Sequence, residues 1–293
     1  MSHEPELSIV IPWRNRNEIA LSLARNQHWL QSDAIEALVV NCSGDSEQLR
    51  GILIDFPALQ VRQINVPAVK WNKPLAVNLG VFFSRAPTVF ALDTDVFLKV
   101  NPLTELLPLI AENTFVTIAR LYETEKAKPL WSVPTGQSSA RNDFLKSIQV
   151  TNIMDFEWAD GNRTRIAVPG DLSGEWRTGV GQMMVRKANL LKIEGYNSEL
   201  ELWGWDDNDV ELRLKRALGL EHIETSVAFH LTHGDKKRAL QDTDPGIDFR
   251  WATGFNNMIR TSRRYTADNF LGTYSSDISS WAHRTAEISP RRY

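Results

Sequence analysis

A chain of 293 residues with 42% apolar and 24% charged side chains can bury a full core, and its composition excludes collagenous, disordered and disulfide-framed classes. A net charge of −3 at pH 7 leaves no electrostatic footprint for nucleic acid, so no nucleic-acid partner is expected. Cys42 is the only cysteine, no apolar run reaches the roughly 18 residues of a membrane span, and Met1 to Glu6 is polar, so the expectation is a cytoplasmic protein.

Leu7-Ser8-Ile9-Val10-Ile11-Pro12 reads as a buried strand that stops at its proline. The polar turn Trp13 to Asn17 leads into helical spacing from Glu18 to Leu30. Glu36 to Asn41 is a second short apolar run, and Ser43-Gly44-Asp45-Ser46 marks a turn and an N-cap for a helix from Glu47 to Asp55. Leu59 to Val66 alternates as a third strand. Pro74, at a first-turn position that proline tolerates, opens a helix through Ser84. Thr88 to Leu92 is a fourth buried strand that runs straight into Asp93-Thr94-Asp95. Strands alternating with such helices predict an α/β protein with a mainly parallel mixed sheet flanked by helices. Ligands of such sheets bind beyond the strand carboxyl ends, so Pro12 through Arg16 and Asp93 through Asp95 are expected to face one crevice.

The second half is less regular. Phe115 to Ile118 is a candidate strand, whereas Arg120 to Arg177 has no clear period, the mark of a lid, a substrate loop or unplaced helices. Gly179 to Val185 reads as a strand entered through a glycine turn, Lys187 to Ile193 as a short helix, Asp207 to Leu218 as a longer one, and Val227 to His230 as a closing strand. The segment 241–293 is polar, basic and aromatic by turns and reads as a peripheral tail. Its stretch Arg260 to Tyr265 is a solvated helix face, or a patch for a membrane surface or an anionic acceptor lipid.

Leu202-Trp203-Gly204-Trp205-Asp206-Asp207-Asn208-Asp209-Val210 makes poor core material. A helix N-terminus with Asp206 or Asp207 as its cap accounts for the acids. It does not account for Trp-Gly-Trp, which suggests an aromatic floor beside an acid/base pair. Asp93-Thr94-Asp95 converges two carboxylates after a strand, which suits a hard divalent cation with positions left for phosphate oxygens, although a D-x-D alone is often only a turn. His230-Leu231-Thr232-His233 sets two imidazoles three residues apart. One core and one exposed histidine is the plain reading. A mixed His/Asp site for Mn2+, which imidazole accepts more readily than it does Mg2+, is the functional one. Arg14 and Arg16 form a solvated turn or clamp a phosphate or base carbonyl. Trp71-Asn72-Lys73 is a core tryptophan or a base-stacking face beside a cation at a helix start. Together these describe a nucleotide-diphosphate site beside a proton acceptor. In sugar transfer a metal neutralises the diphosphate leaving group and a carboxylate deprotonates the attacking hydroxyl.

In order, the motifs resemble the beta-1,4-galactosyltransferases. Ile11-Pro12-Trp13-Arg14-Asn15-Arg16 is similar to their first-strand signature, and Trp71-Asn72-Lys73 with Asn78-Leu79-Gly80 to their uridine-contacting segment, with lysine where they carry arginine. Asp93-Thr94-Asp95 resembles their D-V-D, and Gly195-Tyr196-Asn197 followed by Trp203 to Asp209 their G-F…W-G-W-G-G-E-D-D-D block. His230 and His233 stand at the spacing of their later metal-binding pair. The acidic block is also shared with bacterial chondroitin-polymerase-type transferases and polypeptide N-acetylgalactosaminyltransferases. Two glycines of that block are missing before Asp206, which itself stands where glutamate is usual, and 120–177 aligns with nothing in the family.

The resemblance implies a GT-A fold, a UDP-sugar donor, a glycan or glycolipid hydroxyl as acceptor, and Mn2+ or Mg2+. It implies a catalytic domain over 1–240, with a nucleotide-binding half to about residue 100 and an acceptor-binding half beyond it. Asp95 would ligate the metal with His233, and His230 would stand where the galactosyltransferases have methionine. Trp71 would stack on uracil, with Pro12, Arg14, Arg16, Lys73 and Thr94 lining the nucleotide and Asp93 by the ribose. Asp207 would be the base of an inverting transfer, Asp206 would bind acceptor hydroxyls, and Trp205 with Trp203 and Gly204 would carry the acceptor sugar. Three rivals stay open at this stage: a retaining transferase on the same fold, a non-catalytic nucleotide-sugar or glycan-binding module, and a metal-dependent nucleotide-sugar hydrolase.

Overall fold

Four strands from the first ninety-odd residues form a parallel sheet with an apolar core layer packed on each face. The computed structural model describes residues 4–67, 69–125, 148–200, 202, 204–233 and 248–288, the side chains of 248–252 excepted. Strand β1 (Leu7–Trp13) is buried throughout and lies between β2 (Ile35–Cys42) and β4 (Thr88–Ala91), with β3 (Val61–Val66) beyond β2, all parallel. Burial on both faces is why these strands read as unbroken apolar runs. The odd-numbered face of β1, with Ile9 and Ile11, packs on Leu23 and Trp29 of α1 (Glu18–Leu30) and Leu49 of α2 (Ser46–Ile54). The opposite face, with Val10, Leu38 and Val40, packs on Leu75, Ala76 and Leu79 of α3 (Lys73–Phe83). Asp45 caps α2 by accepting from the Glu47 and Gln48 amides, and Asn72 caps α3 from the Leu75 amide ahead of Pro74. Strand β1 does not stop at Pro12. The proline stays in register with Val40, and pairing continues to Trp13 opposite Asn41.

The second half supplies β5 (Val96–Leu98), α4 (Pro102–Glu105), β6 (Thr114–Glu123), β7 (Gln149–Glu157), β8 (Arg163–Asp171), β9 (Trp176–Arg186), α5 (Lys187–Lys192), α6 (Asp206–Leu218) and β10 (Glu221–His230). Two further helices, α7 (Asp248–Thr266) and α8 (Tyr274–Trp281), and a short β11 (Ala286–Ile288) follow. The sheet runs β11-β3-β2-β1-β4-β9-β6-β10-β5. Parallel pairing, expected for most of a mixed sheet, holds for β3-β2-β1-β4 and for β6-β10. Strand β9 enters antiparallel to both β4 and β6, and the edges β5 and β11 are antiparallel too.

The stretch 120–177, which has no clear period in sequence, extends β6 and adds an antiparallel ribbon of β7 and β8. Its outer positions carry paired charges, Asp155 with Arg165 and Glu157 with Arg163. Met154, Phe156 and Trp158 pack instead on Ile166, Leu212, Tyr265 and Phe270. Charged outer faces and a β7 half-buried only at alternate positions hide such a ribbon from an apolar-run search. Residues 126–147 of the stretch lie outside the described part.

The segment after residue 240, which reads as peripheral, is joined to the body wherever it is described. Strand β11 pairs with β3, and Arg62 bonds Glu287 at 2.8 Å. Buried Asp277 of α8 accepts from Asn78 at 2.7 Å and from the Ser198 hydroxyl at 2.6 Å. The inner face of α7 carries Asn257, Thr261 and Tyr265, two of them too polar for hydropathy to mark as buried. Among the described residues no helix is long and apolar enough to cross a membrane.

Close approach of α3 to β1 depends on Gly80, where a Cβ would stand 2.2 Å from Val10 Cγ1. Gly80→Ala should lower stability in urea unfolding, because overpacking costs about 1–3 kcal/mol against roughly 1 kcal/mol of helix propensity regained. An unchanged midpoint and slope would show that α3 is free to slide.

Candidate active site

Two clusters of charged side chains stand beyond the carboxyl ends of β1 and β4. The first centres on Asp95, 6% exposed, between β4 and β5. Its Oδ2 lies 2.9 Å from Arg16 Nη2, 3.0 Å from His233 Nε2 and 3.5 Å from His230 Nε2. Burial pushes the Asp95 carboxyl up, but hydrogen bonds from both histidines and the Arg16 charge reverse this and hold it well below the usual carboxylate range. Burial likewise depresses His230, and bonds to Asp95 and Glu123 more than restore it, so its pKa is raised. Ligand atoms of Asp95, His230 and His233 lie within 4.8 Å of one another. One carboxylate and two imidazoles form a mixed donor set that fits Mn2+ better than the oxygen-seeking Mg2+.

The second cluster gathers Asp93, Lys73, Asp206 and Asp207. Lys73 at the start of α3, its side chain 13% exposed, sets Nζ 2.9 Å from Asp93 Oδ1 and 3.0 Å from Asp207 Oδ2. Asp93 is further gripped by the buried Gln182 of β9, whose Oε1 accepts from the Asp93 amide at 2.8 Å while its Nε2 donates to Asp93 Oδ2 at 2.7 Å. Asp207 Oδ1 is buried and has no hydrogen-bond partner among the described residues. Burial raises the Asp207 pKa, with the Asp93 charge adding to it and Lys73 opposing. Burial and the neighbouring Asp207 push Asp206 up to about 7, again against Lys73.

Neither Asp206 nor Asp207 caps α6. The N-cap is Trp205, left-handed at φ 72° and without a side-chain cap bond, so both aspartates fall in the first turn, where the helix dipole favours them. Asp209 is taken by structure: it is buried, bonds Arg213 at 2.8 Å and accepts the Tyr265 hydroxyl. The Trp205 indole donates to Thr261 Oγ1 at 2.7 Å, and its ring centroid lies 6.3 Å from that of Phe156. Gly204, at φ 88°, packs on Gly254, where a side chain would meet backbone, and its carbonyl accepts from Asn257 at 2.9 Å. Trp203 lies outside the described residues.

Pro12 is buried in β1, Arg14 follows that strand half-buried, and Trp71, also half-buried, precedes the α3 cap and packs against the second core layer. Thr94 is buried between the two aspartates, and its carbonyl accepts from Ser22 at 2.8 Å. The structure thus brings Arg16, Asp95, His230 and His233 to one point and Lys73, Asp93, Asp206 and Asp207 to another. Sequence reasoning passes over Gln182, Glu123 and Gly181. At Gly181 a Cβ would lie 2.6 Å from Asp207 Oδ2 and 3.1 Å from Lys73 Nζ, so only glycine leaves the ion pair room. Glycine inside a strand pattern was the one available sign.

Residues 171–233, which run from the end of β8 to His233, match the family model described as the N-terminal domain of galactosyltransferase. Among solved structures the chain is similar to the mannosyltransferase PcManGT from Pyrobaculum calidifontis in complex with GDP-Man and Mn2+. The match is 11% identical, with a TM-score of 0.46, over 95% of this chain and 75% of that one. No curated protein matches. The matched segment holds Asp206, Asp207, His230 and His233, so the likeness to galactosyltransferase falls on the acid pair and the two imidazoles.

Asp206 gives the site a pH signature. Its carboxyl binds a proton more tightly folded than unfolded, so its stability contribution is fully present below the ordinary 3.8 and is lost as pH rises through about 7. Asp206→Asn should therefore leave the melting temperature near the parent's at pH 4 and raise it most at pH 8. A gain of equal size at both pH values would remove the raised carboxyl.

Proposed function

We propose that this chain is an inverting, metal-dependent glycosyltransferase that moves a sugar of galactose or N-acetylhexosamine type from a UDP-sugar to a hydroxyl of a glycan, glycolipid or other glycoconjugate. The observation that carries this reading is the unequal environment of the two Asp207 oxygens. Oδ2 is anchored by Lys73 at 3.0 Å, and Oδ1 is buried with no partner among the described residues. A carboxylate so held has one oxygen to fix its orientation and one to receive a proton. Its raised pKa makes it a stronger base at neutral pH than an exposed aspartate.

In this reading the acceptor sugar packs on Trp205, whose ring is oriented by Thr261, and Gly204 and Trp203 are assigned to the same acceptor on the resemblance alone. Asp206 bonds an acceptor hydroxyl. Asp207 Oδ1 takes the proton of the attacking hydroxyl as its oxygen bonds to the anomeric carbon and the bond from that carbon to the diphosphate oxygen breaks. Attack from the face opposite the leaving group inverts the configuration. Pro12, Arg14, Arg16, Trp71, Lys73, Asp93 and Thr94 line the nucleotide. Asp95, His230 and His233 would hold Mn2+, which supplies charge against the departing diphosphate. The chain works in the cytoplasm, and Arg260 and Arg263 on the exposed face of α7 suit peripheral contact with an anionic membrane.

Asp207→Asn should keep donor binding and lose turnover by about a thousandfold or more, as when a positioned general base is removed. The parent should give a β-linked product from an α-linked donor; a retained configuration would sink the role of Asp207. A thermal-shift screen of UDP-, GDP- and dTDP-sugars with and without Mn2+ should show stabilisation by UDP-sugars that needs the metal. Stabilisation by GDP-sugars alone would replace the donor assignment, and UDP release that no acceptor accelerates would favour a hydrolase.

A further inference from the structure

Beside the metal triad lies a carboxylate with no part in the reading above. Glu123 is the last residue of β6, and the parallel register of β6 with β10 sets it opposite His230. Its Oε2 lies 2.7 Å from His230 Nδ1, while His230 Nε2, on the other side of the ring, lies 3.5 Å from Asp95 Oδ2. The same Oε2 accepts from the Thr232 hydroxyl at 2.9 Å, and Arg177 Nε stands 3.9 Å from Oε1, so the carboxylate is itself held in place. Glu123 is half-buried and His230 is 3% exposed, which leaves the ring little freedom to turn.

An ionised carboxylate only accepts hydrogen bonds, so the nitrogen facing it must carry the proton. In the neutral ring that nitrogen is Nδ1, and the lone pair is left on Nε2, on the side of Asp95 and His233. A histidine whose far nitrogen donates to a carboxylate is a better metal ligand, because tautomer and orientation are set in advance and the ring is made more basic. We infer that Glu123 is a positioning residue for the metal centre, selecting the Nδ1–H tautomer of His230 and aiming its Nε2 at the ion held by Asp95 and His233. This rests on the metal-site reading above, but its local part, the tautomer, is a property of the metal-free protein.

The test uses the full chain without nucleotide. Nitrogen-15 NMR of the metal-free parent above the His230 titration should show a protonated Nδ1 and an unprotonated Nε2. Calorimetric titration with Mn2+ alone should show binding weakened by roughly 10- to 100-fold in Glu123→Leu, which removes the acceptor. Glu123→Gln, which keeps an acceptor oxygen and loses the charge, should fall between the two. Circular dichroism melting checks that each variant is folded; should Glu123→Leu not fold, Glu123→Gln and the parent tautomer decide. A protonated Nε2 with bare Nδ1 in the parent overturns the inference, and so does parent-like Mn2+ affinity in the folded variants. If the parent binds no Mn2+, the metal-site reading fails and the aiming of Nε2 at an ion fails with it, whereas a parent that binds Mn2+ beside insensitive Glu123 variants sinks this inference alone.

Discussion

The ammonium of Lys73 lies between Asp93 and Asp207, and the arrangement of the crevice depends on that bridge. Lys73 begins α3, Asp93 ends the run after β4, and Asp207 stands in the first turn of α6, 134 residues beyond Lys73. Burial alone would push Lys73 down; the charges of Asp207, Asp93 and Asp206 hold it well above its ordinary range, so it stays a cation. Asp93 and Asp207 share the one ammonium, so loss of Lys73 would leave both carboxylates facing each other without it. The bridge therefore sets the distance between the half of the fold that carries the D-x-D and the half that carries the acid pair. Gly181 matters for the same reason, since the β9 backbone passes so close to the bridge that no side chain fits.

A second constraint comes from the histidine cluster, where the protein keeps one carboxylate among three potential cations. Asp95 faces Arg16, His230 and His233, and Glu123 supplies the second negative charge behind His230. Arg16 stands against the same Asp95 oxygen that faces the two imidazoles. The two clusters are joined in the chain by the two-residue step from Asp93 to Asp95.

The C-terminal segment contributes more to the site than its composition suggests. Helix α7 holds Trp205 by a hydroxyl, Gly204 by an amide and Asp209 by the Tyr265 hydroxyl, so the tight left-handed entry to α6 is braced from outside. Leu202, Gly204 and Trp205 all have positive φ, a strained run for anything but glycine, and such backbone persists only when surrounding contacts over-determine it. Trp205 itself makes the left-handed turn directly before Asp206.

From the sequence alone one could read the β-α alternation through Leu92, the capped and proline-opened helices, and the acids, imidazoles and cations of the crevice. Those features are local: buried parallel strands are apolar on both faces, and caps are set within a few residues. Which carboxylate faces which cation is a tertiary fact. The family resemblance singles out Asp207 as the base, but the composition of Asp206-Asp207-Asn208-Asp209 does not show that Asp207 keeps an oxygen without a partner among the described residues while Asp209 is locked to Arg213. Only the packing of β9 and α3 against α6 makes that choice. The β7–β8 ribbon and the inner face of α7 escaped detection because exposed charge and buried polar residues blur the hydropathy period. Glu123 and Gln182 escaped because each matters through a partner far away in the chain. The sequence determined the chemistry brought to the crevice, and the fold decided which groups meet there, because ion pairs depend on distances in space and not on spacing along the chain.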